Sequence, residues 1–439
     1  MRSTKIDQRI TTLLTIIIII SISTTPTTSS PIKGDQQYEL IKTIDPPEPH
    51  YQGFFGIDIA ISQNRIVVGE YGASLAHIYD RAGVLIKTLK PPTGDEKTHF
   101  GYSVSIFRDQ IVIGEPDVSV NGLESSGQIH LYDAAGNLVK TMHSPQPQQG
   151  GRFGSSLATD GNTLVVGEPG VFGGDGNTTS RVYLLDANGT FTHIFNRPQV
   201  RVGSYGWSVG IRSDVLVVSE PYVGYSTESG YTHGVVHIYN VSESRLIMTL
   251  KSPRGSGFGN FGNSLYLGDD VLVVGEVRAD ANSTMMAGTT HIYTLNGTLI
   301  KTLYPVELRQ YGYFGIRVFV SKYYVAVTQR GYVYLYDHQG TPAYTVSENI
   351  LTSAYFGYDV AMEGDVLTVG VNLASVGGKE SAGEVYLYRI KLPEPEQGNG
   401  SLQIGLLASF MIFLVIAVTV LKYLHRKRMS HVVASEHQP

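Results

Sequence analysis

With no cysteine in 439 residues, the chain offers no thiol nucleophile, no disulfide and no thiolate metal ligand. Any chemistry falls to carboxylates, imidazoles, hydroxyls and guanidinium groups. The carboxylates are the most regular of these. Glu70, Glu115, Glu168, Glu220 and Glu276 each stand fifteen residues after an aromatic residue followed by glycine. Five carboxylates on one ring can attract a cation or a basic ligand. A repeated position can equally serve the scaffold by accepting backbone N–H groups. The stretch Asp117-x-Ser119-x-Asn121-Gly122-x-Glu124 spaces oxygen ligands at alternate positions before a glycine, as calcium loops do. Its twelfth position is Gln128 rather than Glu, and an ordinary polar loop explains it as well. Calcium is therefore the only cofactor candidate.

Two apparent catalytic patterns dissolve in the register of the chain. Gly206-Trp207-Ser208-Val209-Gly210 matches the nucleophile pattern G-x-S-x-G, but Ser208 aligns with Ser103, Ser156 and Ser264 and no strand-to-helix elbow surrounds it. His77, His130, His237 and His291 share one repeat position, which Tyr183, Tyr334 and Tyr386 fill elsewhere. Alternation with tyrosine reads as packing rather than metal binding. No acid/base pair stands at a defensible spacing, so the expectation is that the chain is not an enzyme.

These positions repeat because the whole middle of the chain repeats. Phe55-Gly56, Phe100-Gly101, Phe153-Gly154, Tyr205-Gly206, Phe261-Gly262, Phe314-Gly315 and Phe356-Gly357 recur at intervals of 42 to 56 residues. Within a unit, FGYSVSI (100–106) alternates with period 2, and QIVIGE (110–115) is apolar throughout, as a strand buried on both faces would be. A third strand of the type QIHLYD (128–133) and a fourth of the type LVKTM (138–142) follow. Each unit reads as a four-stranded antiparallel meander of ~50 residues, the size of a propeller blade. The seventh unit ends at Ile390 with no fourth strand, whereas ELIKTI (39–44) precedes the first and fits that role. The expected fold is all-β, a seven-bladed propeller over 31–392 closed by its N-terminal strand, which leaves few unpaired edges. Once the ring shuts, blades six, seven and one are neighbours. Three residues after the aromatic they carry Arg317, Asp359 and Asp58, where most other blades carry serine. An Arg317–Asp359 pair would lock the closure or line the axial channel.

The repeat FG-x-S-V-x-I followed by VVGEP resembles the FG-GAP repeat of integrin alpha-chain propellers, with Gly-Glu-Pro at 114–116 and 167–169 in place of Gly-Ala-Pro. The resemblance implies a propeller whose ligand face is the one bearing the loops between second and third strands. Integrin-like propellers hold calcium between strands 1 and 2, and here those turns are too short to wrap an ion. The 2–3 loops are long in blades two (116–127), three (169–180), four (221–234), five (277–288) and seven (372–383). Variable loops on a regular scaffold are where binding surfaces arise. Tyr222, Tyr225, Tyr231 and His233 are the chosen contacts, because tyrosine offers large area at low entropic cost.

The ends suggest an address. Residues 1–30 have the basic start, short apolar run and small-residue exit of a secretory signal. Residues 402–421 carry no formal charge and suffice for one transmembrane helix, reached through a linker at 393–401. Lys422, Arg426, Lys427 and Arg428 place the tail, 422–439, in the cytoplasm. The expectation is a single-pass type I cell-surface protein. Sequons at Asn177, Asn188, Asn240, Asn282, Asn296 and Asn399 are glycosylation candidates. A net charge of −5 argues against nucleic acid as a partner. The expected function is recognition or adhesion, with an extracellular protein or glycan as partner. The alternatives are an enzyme acting on surface polysaccharide, or a structural subunit packing through Gly405-x-x-x-Ser409.

Overall fold

The computed structural model describes residues 38–62, 64–94, 97–170, 179–198, 204–223, 234–255, 259–348 and 355–393, together with Lys422. Blade two shows why each repeat folds as it does. Ser103–Phe107, Gln110–Glu115, Gln128–Tyr132 and Leu138–His143 form one antiparallel sheet in chain order. Arg108 and Asp109 turn the first hairpin, with Arg108 at φ 58°. Ile111 to Glu115 and all of Gln128–Tyr132 are buried, because neighbouring blades cover both faces of the middle strands. The outer strand is exposed along most of its length.

The same four-stranded order holds in all seven sheets, so the protein is an all-β, seven-bladed propeller. The first strands are Ile59–Ile61, Ser103–Phe107, Ser156–Thr159, Val209–Arg212, Phe261–Leu267, Val318–Val320 and Val360–Glu363. Each touches the first strand of the next blade, and Val360–Glu363 touches Ile59–Ile61, so the ring is closed. The last sheet runs Val360–Glu363, Val366–Val371, Glu384–Ile390 and then Tyr38–Ile44 from the start of the chain. Ile44 packs with Val385, Leu387 and blade-one residues in one apolar cluster.

The repeat signature has a packing cause. The aromatic of each mark fills the gap between two blades: Phe100 is fully buried among Val67 and Ile78 of blade one and Ile111 and Tyr132 of blade two. Burying such a side chain stabilises by about 2 kcal/mol. The glycine after it, Gly101 at φ +85°, brings its carbonyl so close to the preceding blade that a Cβ on Gly69 would lie 2.1 Å from it. A side chain at Gly69 or Gly101 would push these blades apart, whereas blade four admits Ser219 at the equivalent of Gly69, its Oγ accepting from Ser208 N.

The fourth-strand motif I-K-T divides its labour. Lys42, Lys87, Lys140 and Lys301 donate Nζ–H to the carbonyls of Gly83, Gly136, Gly189 and Gly340 in the turn of the following blade. The adjacent threonines, among them Thr88 and Thr141, turn inward to the third strand of their own blade.

The sequence-based topology is corrected here. Among the described residues no helix is long and apolar enough to cross a membrane, so single-pass type I placement in the cell membrane is not supported. The stretches assigned to a signal peptide (1–30) and a transmembrane helix (402–421) lie outside the described residues, as does the tail 422–439 beyond Lys422.

Candidate ligand site at the axial mouth

The repeated glutamates do not open onto the loop face. Glu70, Glu115, Glu168, Glu220 and Glu276 are all buried, and each meets the third strand of its own blade. His77, His130 and His291 place Nε2 2.7, 2.7 and 2.9 Å from the carboxylates of Glu70, Glu115 and Glu276. His237 stands 3.3 Å from Glu220. On the other side of each ring, Nδ1 meets Thr88, Thr141, Thr249 or Thr302. Where the third strand has tyrosine, the phenol replaces the imidazole: Tyr183 donates to Glu168 at 2.6 Å and Tyr334 to Gln329 at 2.9 Å. Burial pushes the Glu168 carboxyl above its ordinary range, and the Tyr183 hydrogen bond pulls partly against it. These carboxylates are engaged by side chains of their own sheet and, for Glu70 and Glu220, by His50 and Arg197 as well.

The long loops also divide into two kinds. Those of blades two, five and seven are straps. Glu124, Ser125 and Ser126 accept backbone N–H bonds from Gly150, Arg152 and Phe153 of blade three. Met285 to Ala287 do the same for blade six, and Glu380 to Ala382 for blade one. Asn121 and Gly122 form the tip of a tight hairpin in the first strap, in which Val120 and Leu123 exchange backbone bonds. The calcium reading of that loop meets a competing arrangement: Asp117 pairs with Arg152 at 3.1 Å and with His99. Among the described residues no group of three or more His, Cys, Asp or Glu could hold a metal ion. Tyr225, Tyr231 and His233 lie outside the described residues. Tyr222 is described, and it stands at the axial mouth with its ring edge-on to Trp207 at 5.2 Å.

One repeat position links every blade to the next. Ser103, Ser156 and Ser264 donate to the carbonyls of Gly154, Gly206 and Gly315, each in the following blade. Ser208 meets the backbone of Leu265. Asp58 accepts from Val104 N at 2.6 Å and Asp359 from Ile59 N at 2.7 Å. Arg317 reaches Asp359, with Nε 3.4 Å from Oδ1. Its guanidinium also lies over the Tyr358 ring at 5.3 Å. The carboxyls crowd each other in a dry place. Burial first, then Asp58, hold Asp359 up at about 8 against the pull of Arg317. Burial likewise raises Asp58.

The belt lines an axial cavity of about 1070 Å³ that opens at the mouth. Tyr71, Tyr102, Trp207, Tyr222, Tyr313 and Tyr358 converge on it from five blades, with Trp207 and Tyr222 both from blade four, and Arg152, Arg278, Asn260 and Asn372 stand among them. Tyr71 and Tyr102 meet edge to face at 5.7 Å. Arg152 lies over Tyr102 at 5.7 Å, and Arg330 covers Tyr355 at 3.9 Å. Deeper in, the lining turns aliphatic, with Ile61, Ile106, Ile211 and Leu267. Sequence reasoning passed over most of this ring. Its signal was present beside the repeat mark: Tyr102, Trp207 and Tyr358 directly follow the glycine, and Tyr313 and Tyr355 directly precede the aromatic.

Of the sequons, Asn188, Asn282 and Asn296 are exposed. Asn240 is half-buried at the end of a third strand and donates to Asp214. Asn177 and Asn399 lie outside the described residues.

No protein-family model and no curated protein matches the sequence. The FG-GAP, integrin-like identity thus finds no support beyond the propeller itself. Solved structures do match. The virginiamycin B lyase of Staphylococcus aureus is similar over 80% of this chain and 99% of that one, with TM-score 0.56 and 10% identity. A streptogramin B lyase covers 80% and 98%, with TM-score 0.55 and 13% identity. The WD40 domain of Neurospora crassa Pan2 covers 82% and 98%, with TM-score 0.53 and 12% identity. At such identities the likeness establishes the fold alone. It nevertheless corrects the expectation of a non-enzyme, since two of these neighbours are enzymes built on this architecture, and a repeat that looks structural along the chain gives no ground for excluding catalysis.

Proposed function

We propose that the protein is a recognition propeller whose ligand is a glycan seated in the axial mouth, on the face that carries the 2–3 loops. One observation carries this reading: six aromatic rings from five blades converge on one cavity of about 1070 Å³. Sugar rings present C–H faces that lie flat on aromatic side chains and hydroxyls that need hydrogen-bond partners. The mouth supplies the first with Trp207, Tyr102 and Tyr358 and the second with Asn260, Asn372 and Arg278. The volume matches the upper range of pockets that enclose a small ligand. Calorimetric titration of the full chain with tetrasaccharides tests the reading. Saturable binding that Tyr358→Ala weakens at least tenfold is expected, and binding indifferent to Tyr358 and Tyr102 would contradict it.

A second reading, in which the bound ligand is also transformed, is favoured by Asp359. A carboxyl still protonated near neutrality, next to a guanidinium and a phenol, is a proton donor of the kind acid–base catalysis uses. Two of the similar structures are lyases by title. Chromatography of the tetrasaccharide after incubation separates the readings: new products abolished by Asp359→Asn favour turnover.

A further inference from the structure

The polar groups at the mouth are not balanced in charge. Arg152, Arg278 and Arg317 line the cavity, from blades three, five and six. Arg330 stands behind Tyr355, with its Nε buried and unpartnered. Arg152 spends its charge on Asp117. Arg278 is exposed and has no carboxylate within ion-pair distance among the described residues.

The opposing acids are few. Asp58 and Asp359 sit in the belt below, where burial favours their neutral forms. Glu363 lines the cavity too, but it ends the first strand of blade seven and so lies at the far end of the channel from the mouth. The entrance therefore presents an excess of guanidinium charge among aromatic rings. A guanidinium fork pairs with a planar carboxylate through two parallel hydrogen bonds, and a partly enclosed site strengthens that pairing relative to open water.

We infer that the ligand of this mouth is an anionic glycan, its carboxylate or sulfate groups taken by Arg278 and Arg317 while its ring faces lie on Tyr102, Trp207 and Tyr358. This rests on the glycan reading above and narrows it. A neutral sugar would leave Arg278 without a partner and would gain nothing from the third charge at Arg317. The belt fixes how deep the charged group can go, because Asp58 and Asp359 would repel it once ionised.

The test titrates the full chain with three tetrasaccharides of equal length, one of uronic acid, one sulfated and one neutral. Either acidic probe, or both, is expected to bind at least tenfold more tightly than the neutral one, and to lose that advantage as salt rises. Arg278→Gln is expected to weaken the acidic probe about fivefold and leave the neutral probe unchanged. Arg245→Gln, on an exposed outer strand, removes the same charge and is expected to change neither. Equal affinity for charged and neutral probes, a preference for the neutral one, or equal losses in Arg278→Gln would overturn the inference while the glycan reading stands. If none of the three binds, the glycan reading falls and this inference falls with it.

Discussion

Blades two to five and blades six, seven and one solve the same structural problem with different chemistry. At the position three residues past the repeat aromatic, the first group uses serine, whose hydroxyl bridges to the next blade's backbone. The second group uses Arg317, Asp359 and Asp58 for the same bridge. A hydroxyl does this without placing charge in a buried site. In the reading proposed above, the charge at this position is where a ligand's own charge is read. At this repeat position serine serves the scaffold, whereas in that reading Arg317 serves scaffold and site together.

The comparison breaks first if the buried Glu–His pairs carry function. His130→Leu should leave Glu115 buried without its imidazole partner. Loss of about 3 kcal/mol in urea unfolding is expected, with the affinity of the folded protein for an acidic tetrasaccharide unchanged. A fall in affinity at constant folded fraction would put function in the scaffold. Arg317→Gln, in the charged arc, should weaken acidic ligand binding about tenfold, or ~1.4 kcal/mol, and this is read by calorimetry. Ser264→Ala should cost about 1 kcal/mol of stability through the lost bond to Gly315 O, with binding untouched.

The smallest effect is one of pH. The groups facing Asp359 are Asp58, Arg317 and Tyr358, with Tyr102 beyond them acting on Arg317. Its folded value near 8 lies above its ordinary 3.8, so the folded state keeps a proton that the unfolded chain has released. Its contribution to stability is complete below pH 4, declines as pH rises towards 8, and is level above that. Acidic ligand binding should weaken over the upper part of the same range as Asp359 becomes anionic beside Arg317. Asp359→Asn should flatten both profiles. A wild-type binding profile flat from pH 6 to 9 would remove Asp359 from the account.

The propeller was legible because interblade packing imposes local rules. Phe100 must plug a gap, Gly101 must let two backbones approach, and Leu138 to Met142 must lie at an edge. Closure by the first strand followed from a missing partner at the other end. The Glu–His–Thr chains were half legible: the positions recur, but only the sheet register shows that Glu115, His130 and Thr141 face one another across three strands. The long loops misled for a physical reason. A strap such as 116–127 gains its role from backbone hydrogen bonds to the next blade, and backbone bonds leave little trace in side-chain identity. The mouth was missed because its rings come one or two from each of five repeats, so no local stretch of chain looks like a site.

Trp207 is the sole tryptophan of the chain, and it stands at the mouth edge-on to Tyr222. Its emission therefore reports the mouth alone. Titration of the full chain with the uronic-acid tetrasaccharide should change Trp207 fluorescence along a saturable curve that superimposes on the calorimetric isotherm and shifts to higher concentration in Arg278→Gln. Calorimetric binding with no change in Trp207 emission would place the ligand elsewhere on the molecule and contradict the account.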